Sequence, residues 1–188
     1  MLTPGAPPDA DGAAQPPLVL VVMGPAGSGK SFVGERLAAA LGWAFADGDG
    51  YHPPENVARM RAGLPLGDAD RAPWLAALEA LIARRLAEGA PLVLACSALK
   101  VAYRRSLVPP ATPWGRVCFV YLRASPALLR ERLAARAGHF FAPALLASQL
   151  DALEPPGAGE REPAPVLTLD AGGTAEEIVA AVRGAARV

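Results

Sequence analysis

The sequence predicts a single α/β domain organised around a parallel sheet, on three observations. Five short apolar runs alternate with segments of helical periodicity, the order that parallel βαβ units with right-handed crossovers require. A glycine-rich octapeptide follows the first of those runs directly. A chain of 188 residues, 52% hydrophobic and 19% charged, suffices for one well-buried core and is short for two.

Residues 1–17 are rich in Pro, Gly, Ala and Asp without periodicity and read as a disordered tail, which leaves 18–188 as the domain. Leu18–Met23 is an apolar, β-branched run expected to be a fully buried strand. Val33, Leu37, Ala40 and Leu41 fall at helical spacing, with Gly42 as a stop. A short strand over Trp43–Ala46 leads into Asp47-Gly48-Asp49. Pro53-Pro54-Glu55 starts a helix that ends near Ala62. Asp70 is placed to cap a longer helix running to about Glu88.

Leu92–Cys96 is the third strand, with a helix from about Lys100 to Leu107 after it, and Arg116–Leu122 is the fourth. Ser125-Pro126 opens a helix with a capping residue and a proline in the first turn. Gly138–Phe141 breaks that helix, and Pro143–Leu153 forms another. The Pro-, Gly- and Glu-rich stretch 155–163 reads as a loop, Val166–Leu169 as the last strand and Thr174–Arg183 as the last helix, where Thr174 and Glu177 have capping-box spacing.

Several function classes are disfavoured. Formal net charge is zero, which argues against a broad nucleic-acid-binding surface. No apolar run near the start is long enough to cross a bilayer, and no secretory signal is visible. Cys96 and Cys118 sit in strand-like runs, away from any zinc pattern, and read as free thiols in a reducing cytoplasm. Of 18 Lys and Arg residues only Lys30 and Lys100 are lysines. Lysine is a compact point charge where arginine is a planar fork, so the two that remain invite a chemical reason.

Gly24-Pro25-Ala26-Gly27-Ser28-Gly29-Lys30-Ser31 matches G-x-x-x-x-G-K-[ST], the P-loop pattern. Glycines let backbone N–H groups of Gly24, Ala26, Gly27, Ser28 and Gly29 turn towards phosphate oxygens. The helix start adds the positive end of its dipole. Lys30 reaches the β- and γ-phosphates of a nucleotide and the Ser31 hydroxyl ligates Mg²⁺. This points to ATP and Mg²⁺ as cofactors.

Asp47-Gly48-Asp49 lies at the carboxyl end of the second strand, where ligands collect in open α/β sheets. One acid suits the metal's ligand shell, and the other suits the proton of an attacking hydroxyl. Lys100 and Arg104, one turn apart, are expected to share a helix face and to hold the carboxylate of a small anionic substrate. Arg132 and Arg136 share a face before Gly138-His139-Phe140 and suit a mobile lid that closes over the phosphates and excludes water.

The motifs as a set resemble the gluconokinases of the shikimate-kinase-like P-loop group. The resemblance rests on Gly24–Ser31, on Asp47-Gly48-Asp49-x-Tyr51-His52-Pro53-Pro54-Glu55-Asn56-Val57, and on Asp68-x-Asp70-Arg71-x-Pro73-Trp74-Leu75. It rests also on Ala95-Cys96-Ser97-Ala98-Leu99-Lys100-x-x-Tyr103-Arg104 and on Gly138-His139-Phe140 with Ser148-Gln149-Leu150. It spans about residues 18–183.

The resemblance implies a P-loop kinase domain with a five-stranded parallel sheet and a lid, ATP- and Mg²⁺-dependent phosphorylation of D-gluconate to 6-phospho-D-gluconate, and a homodimer. It makes Asp49 the group that orients or deprotonates the 6-hydroxyl and Asp47 a metal-shell residue. His52, Arg71, Lys100, Arg104 and His139 become candidates for the gluconate site, and Arg132 and Arg136 for the lid. Phe32, Gly67 and Ala142 depart from the usual family residues, and Phe32 is expected to alter packing near the nucleotide base. Two alternatives stand beside this: a kinase of the same group for shikimate or another small metabolite, and a nucleotide-binding switch without acceptor chemistry.

Overall fold

Val19–Met23 (β1) is apolar and buried at every position, so it needs cover on both faces. In the computed structural model, which describes residues 16–135, 143–157 and 162–186, β1 is the middle strand of a five-stranded parallel sheet. The others are Ala44–Asp47 (β2), Leu92–Ala95 (β3), Val117–Arg123 (β4) and Val166–Asp170 (β5), in the order β2-β3-β1-β4-β5. β1 pairs Val19 with both Leu92 and Val117. Successive strands leave β1 in opposite directions, so the carboxyl ends of β1 and β3 face a topological switch point.

Seven helices are described: Lys30–Leu41 (α1), Pro54–Arg61 (α2), Asp68–Ala87 (α3), Val101–Ser106 (α4), Pro126–Ala135 (α5), Pro143–Ala152 (α6) and Ala175–Ala186 (α7). Strand side chains alternate between two cores. Val19, Val21 and Met23 join Trp74, Leu78 and Ile82 of α3 and Tyr103 of α4. Leu20 and Val22 join Val33 and Leu37 of α1 and Ile178 and Val182 of α7.

Local chemistry sets the helix ends much as expected. Gly42 closes α1 with a left-handed φ of 66°. Ser125 Oγ accepts from Leu128 N at 3.2 Å at the start of α5. Thr174 and Glu177 form the reciprocal capping box of α7, at 2.9 and 3.2 Å.

One start differs. α3 begins at Asp68, two residues before the expected cap. Gly67 is its N-cap, and Asp70, in the third helical position, accepts from the Gly67 N–H at 2.7 Å. Asp70 therefore satisfies the helix start from inside.

Cys96 and Cys118 are both free thiols. No helix among the described residues is long and apolar enough to cross a membrane. Residues 1–15 of the expected tail, the break at Gly138–Phe141, Arg136, His139 and Ala142 lie outside the described residues.

Candidate active site

The loop between β1 and α1 takes the shape its glycines permit. Gly24, Gly27 and Gly29 have φ of 149°, 84° and 90°, a region side-chain-bearing residues rarely enter. At Gly24 a Cβ would also lie 2.8 Å from Ser28 Oγ. Gly29 is the N-cap of α1, so the helix begins at Lys30 and points its free amides into the loop. Ser28 Oγ is buried without a hydrogen-bond partner among the described residues. Of the amides expected to face phosphate, those of Gly24, Ala26 and Ser28 bond within the chain, to the Ser97 carbonyl, Gln149 Oε1 and the Pro25 carbonyl, and the buried Ser28 hydroxyl is the group of the loop left to find a partner.

Ser31 joins the cradle to the acceptor side. Its hydroxyl donates to Asp47 Oδ2 at 2.6 Å, and Asp47 Oδ1 accepts from the Asp49 N–H at 3.0 Å. Asp47 ends β2, and Asp49 lies in a single 3-10 turn, Gly48–Tyr51. Gly48 is required there by close packing: a Cβ would lie 2.8 Å from the Ala95 carbonyl oxygen. Trp74, 1% exposed, donates its Nε1–H to the Gly48 carbonyl at 2.8 Å and fixes the turn from α3.

Burial pushes the Cys96 thiol, at the end of β3, up to about 12. Asp49 and Asp47 push it the same way and Lys30 opposes them, so all three charges surround the carboxyl end of β3.

His52 stacks on Trp74, with ring centroids 4.4 Å apart and planes 11° from parallel. Burial there lowers its pKa below the ordinary 6.5. The Asp49 carboxylate opposes the shift and the Arg71 guanidinium adds to it.

Arg71 donates to the Tyr103 hydroxyl at 3.2 Å. Lys100 donates to both carboxylate oxygens of Asp68, at 2.8 and 2.9 Å, and Tyr103 donates to Asp68 Oδ1. Those two bonds lower the Asp68 pKa, the one from Lys100 most, and the same pairing raises that of Lys100. Arg71 and Lys100 therefore meet around Tyr103 and Asp68, while His52 sits on Trp74, three residues along α3 from Arg71.

Arg104 is a correction. It does not share an open face with Lys100. Lys100 is the N-cap of α4, with an extended backbone at φ −95° and ψ 149°, so helical spacing does not run from it. Tyr103, not Arg104, is its neighbour in the cleft, with Lys100 Nζ 5.4 Å from the ring centroid. Arg104 is 0% exposed. Its guanidinium holds Glu162 at 2.6 and 2.7 Å and the carbonyls of Ala98, Leu99 and Glu154 at 3.1 Å. It ties the chain after α6 to the start of α4 and has no donor left for a substrate.

Arg132 is described, while the rest of the expected lid lies outside the described residues. It belongs to α5, donating to the Ala171 carbonyl at 2.7 Å and to the Ser28 carbonyl at 3.4 Å. It walls a pocket of about 310 Å³ beside the loop, lined also by Gly29, Phe32, Val33, Ala171 and Ile178. Phe32 is 54% exposed and lies under Arg36, whose guanidinium carbon is 3.4 Å from the ring centroid.

Sequence reasoning missed this pocket, which three separate chain segments form. It also missed Asp68 and Tyr103 as partners of Lys100, because no helical spacing runs from the extended Lys100. Gln149 of α6 was missed as well: its side-chain carbonyl accepts from the Ala26 N–H at 2.7 Å.

Comparison with known proteins agrees with this geometry. A family described as an AAA domain matches residues 19–156. A probable gluconokinase of Xenopus tropicalis is 47% identical over 156 residues, covering 77% of this chain and 82% of its own. A gluconokinase of Gluconobacter oxydans is 45% identical over 159 residues, covering 80% and 88%. The crystal structure of a gluconokinase from Sinorhizobium meliloti superposes with a TM-score of 0.76 at 44% identity, covering 91% of this chain and 92% of that one.

Proposed function

The chain belongs to the gluconokinase family, and from that membership we propose that it transfers the γ-phosphoryl group of ATP to the 6-hydroxyl of D-gluconate, giving ADP, 6-phospho-D-gluconate and a proton. The observation that supports the reading is the continuous connection Ser31–Asp47–Asp49, which ties the backbone carrying Asp49 to the end of the phosphate loop.

The residues fit the groups the reaction needs. The glycine-shaped loop and the unpartnered Ser28 hydroxyl suit a triphosphate. The pocket walled by Arg132, Phe32 and Val33 suits the adenine ring, with a guanidinium and a phenyl as stacking partners. Ser31 and Asp47 offer a hydroxyl and a carboxylate 2.6 Å apart, the hard oxygen ligands Mg²⁺ accepts while keeping waters and phosphate oxygens. When bound, Mg²⁺ neutralises phosphate charge. Lys30 holds the β- and γ-phosphates, and Asp49 orients the 6-hydroxyl and takes its proton.

Arg71 and Lys100 receive the gluconate carboxylate, and His52, held neutral by burial, lines the polyol between them and Asp49. Arg136 and His139 remain candidates for the lid and the substrate on the strength of the family motif. A homodimer in the cytoplasm belongs to the same reading, and the two free thiols support a reducing compartment.

A coupled assay of ADP release with ATP against sugar acids, shikimate and nucleosides tests the proposal. We expect turnover on D-gluconate well above every other acceptor. Turnover on shikimate or a nucleoside with none on gluconate would overturn it.

A further inference from the structure

The carboxylate of Asp68 is gripped in a way that its place in the fold does not require. It extends from the first turn of α3 with its side chain 67% exposed, yet both its oxygens are bound. Lys100 holds the two together, Tyr103 donates to one, and Arg71 donates to that same Tyr103 hydroxyl. The guanidinium of Arg71 and the ammonium of Lys100 lie 5.6 and 5.4 Å from the Tyr103 ring centroid. An ammonium, a phenol and a guanidinium converging on one point form a receptor for a single carboxylate.

We infer that Asp68 sits in the seat of the substrate carboxylate, and that an aldonic acid binds by exchanging its own carboxylate for that of Asp68 on Lys100 and Tyr103. The inference rests on the proposed function, in which Arg71 and Lys100 receive that group, and adds the residue that guards it.

Two features favour exchange over a fixed structural pair. The first is exposure. A solvent-facing ion pair is screened by water and is worth little, so it yields readily to a competing anion. Four residues along the chain, Arg104 and Glu162 make the opposite kind of pair, with side chains 0% and 10% exposed and three further donor contacts to carbonyls fixing the cation. The second is position. His52 stacks on Trp74, whose indole holds the Gly48 carbonyl beside Asp49, and Arg71 stands three residues before Trp74 on α3 with its bond to Tyr103, so the Asp68 cluster lies along the same wall as the acceptor acid. A linear acid with its terminal hydroxyl at Asp49 has its carboxylate directed there.

The consequence is specificity. A substrate carrying a carboxylate replaces the bonds it breaks. A neutral polyol breaks the Lys100–Asp68 pair, or leaves it in place and is excluded from the seat, and gains nothing in return.

The test is steady-state kinetics of Asp68→Asn and Asp68→Ser with D-gluconate and with the neutral polyol D-glucitol, beside Lys100→Met, each checked by thermal melting. Removing the guard is expected to lower KM for gluconate about two- to five-fold, the range of an exposed ion pair, with kcat moving less than KM. A KM that rises or stays unchanged in both Asp68 variants overturns the inference, because Asp68 then binds a substrate hydroxyl or stands aside. Lys100→Met separates this from failure of the underlying reading. If Lys100 holds the carboxylate, that variant raises KM for gluconate and narrows the preference over D-glucitol. If the preference is unmoved, the carboxylate seat itself is misplaced.

Discussion

The two sides of the cleft hold charge by different means. On the phosphate side the binding groups are backbone amides, shaped by Gly24, Gly27 and Gly29 and aligned by the start of α1. On the acceptor side the polar groups are side chains from separate elements: Asp49 from a turn, Arg71 and Asp68 from α3, Lys100 from the cap of α4 and Tyr103 from its first turn. A backbone cradle is preorganised and meets any triphosphate the same way. A side-chain site meets one substrate and can exchange partners as it does so. The contrast recurs within the acceptor side, where the Lys100–Asp68 pair is open to solvent and the buried Arg104–Glu162 pair holds the scaffold.

The sharpest way to break this comparison is Lys30→Ala. Loss of the lysine of the phosphate loop is expected to reduce turnover by about 10²–10³-fold or more and to weaken ATP binding in calorimetry. Unchanged nucleotide affinity would mean that the loop does not bind phosphate. Next comes Arg104→Met, which strands Glu162 and is expected to destabilise the fold by about 3–5 kcal/mol in denaturant unfolding. The fraction that folds should keep its KM for gluconate. A large rise in KM with unchanged stability would return Arg104 to the substrate site.

The smallest effect concerns His52. Its folded pKa is depressed by burial against Trp74, so between that value and 6.5 the unfolded chain binds more protons. Stability is therefore full above 6.5 and falls as pH drops through this window. His52→Phe should flatten that acid limb, while NMR titration of Arg71→Met should show the His52 midpoint rising. A midpoint indifferent to Arg71 would separate the two residues.

Much of this was legible in the sequence, for definable reasons. β1, β3 and β4 are apolar at nearly every position because parallel central strands are covered on both sides. The phosphate loop was legible because its chemistry is contiguous. Asp47 and Asp49 were legible because they stand at a strand end with a glycine between them, although the tight fit of Gly48 against Ala95 appears only in three dimensions.

Arg104 was misread because helical spacing was counted from Lys100, which is not itself helical. Asp70 was misread as a cap because a glycine can serve as N-cap without any side-chain signal. The pocket beside the phosphate loop was invisible because α1, α5 and the start of α7 meet there without a shared motif.

The acid across from the phosphate loop carries the whole account, and Asp49→Asn tests it most directly. ATP affinity and gluconate turnover should be measured on the same preparation. The account predicts nucleotide binding like that of the parent and turnover lower by at least about 10²-fold, the low end for losing a general base. Gluconate phosphorylation at the parental rate would contradict it.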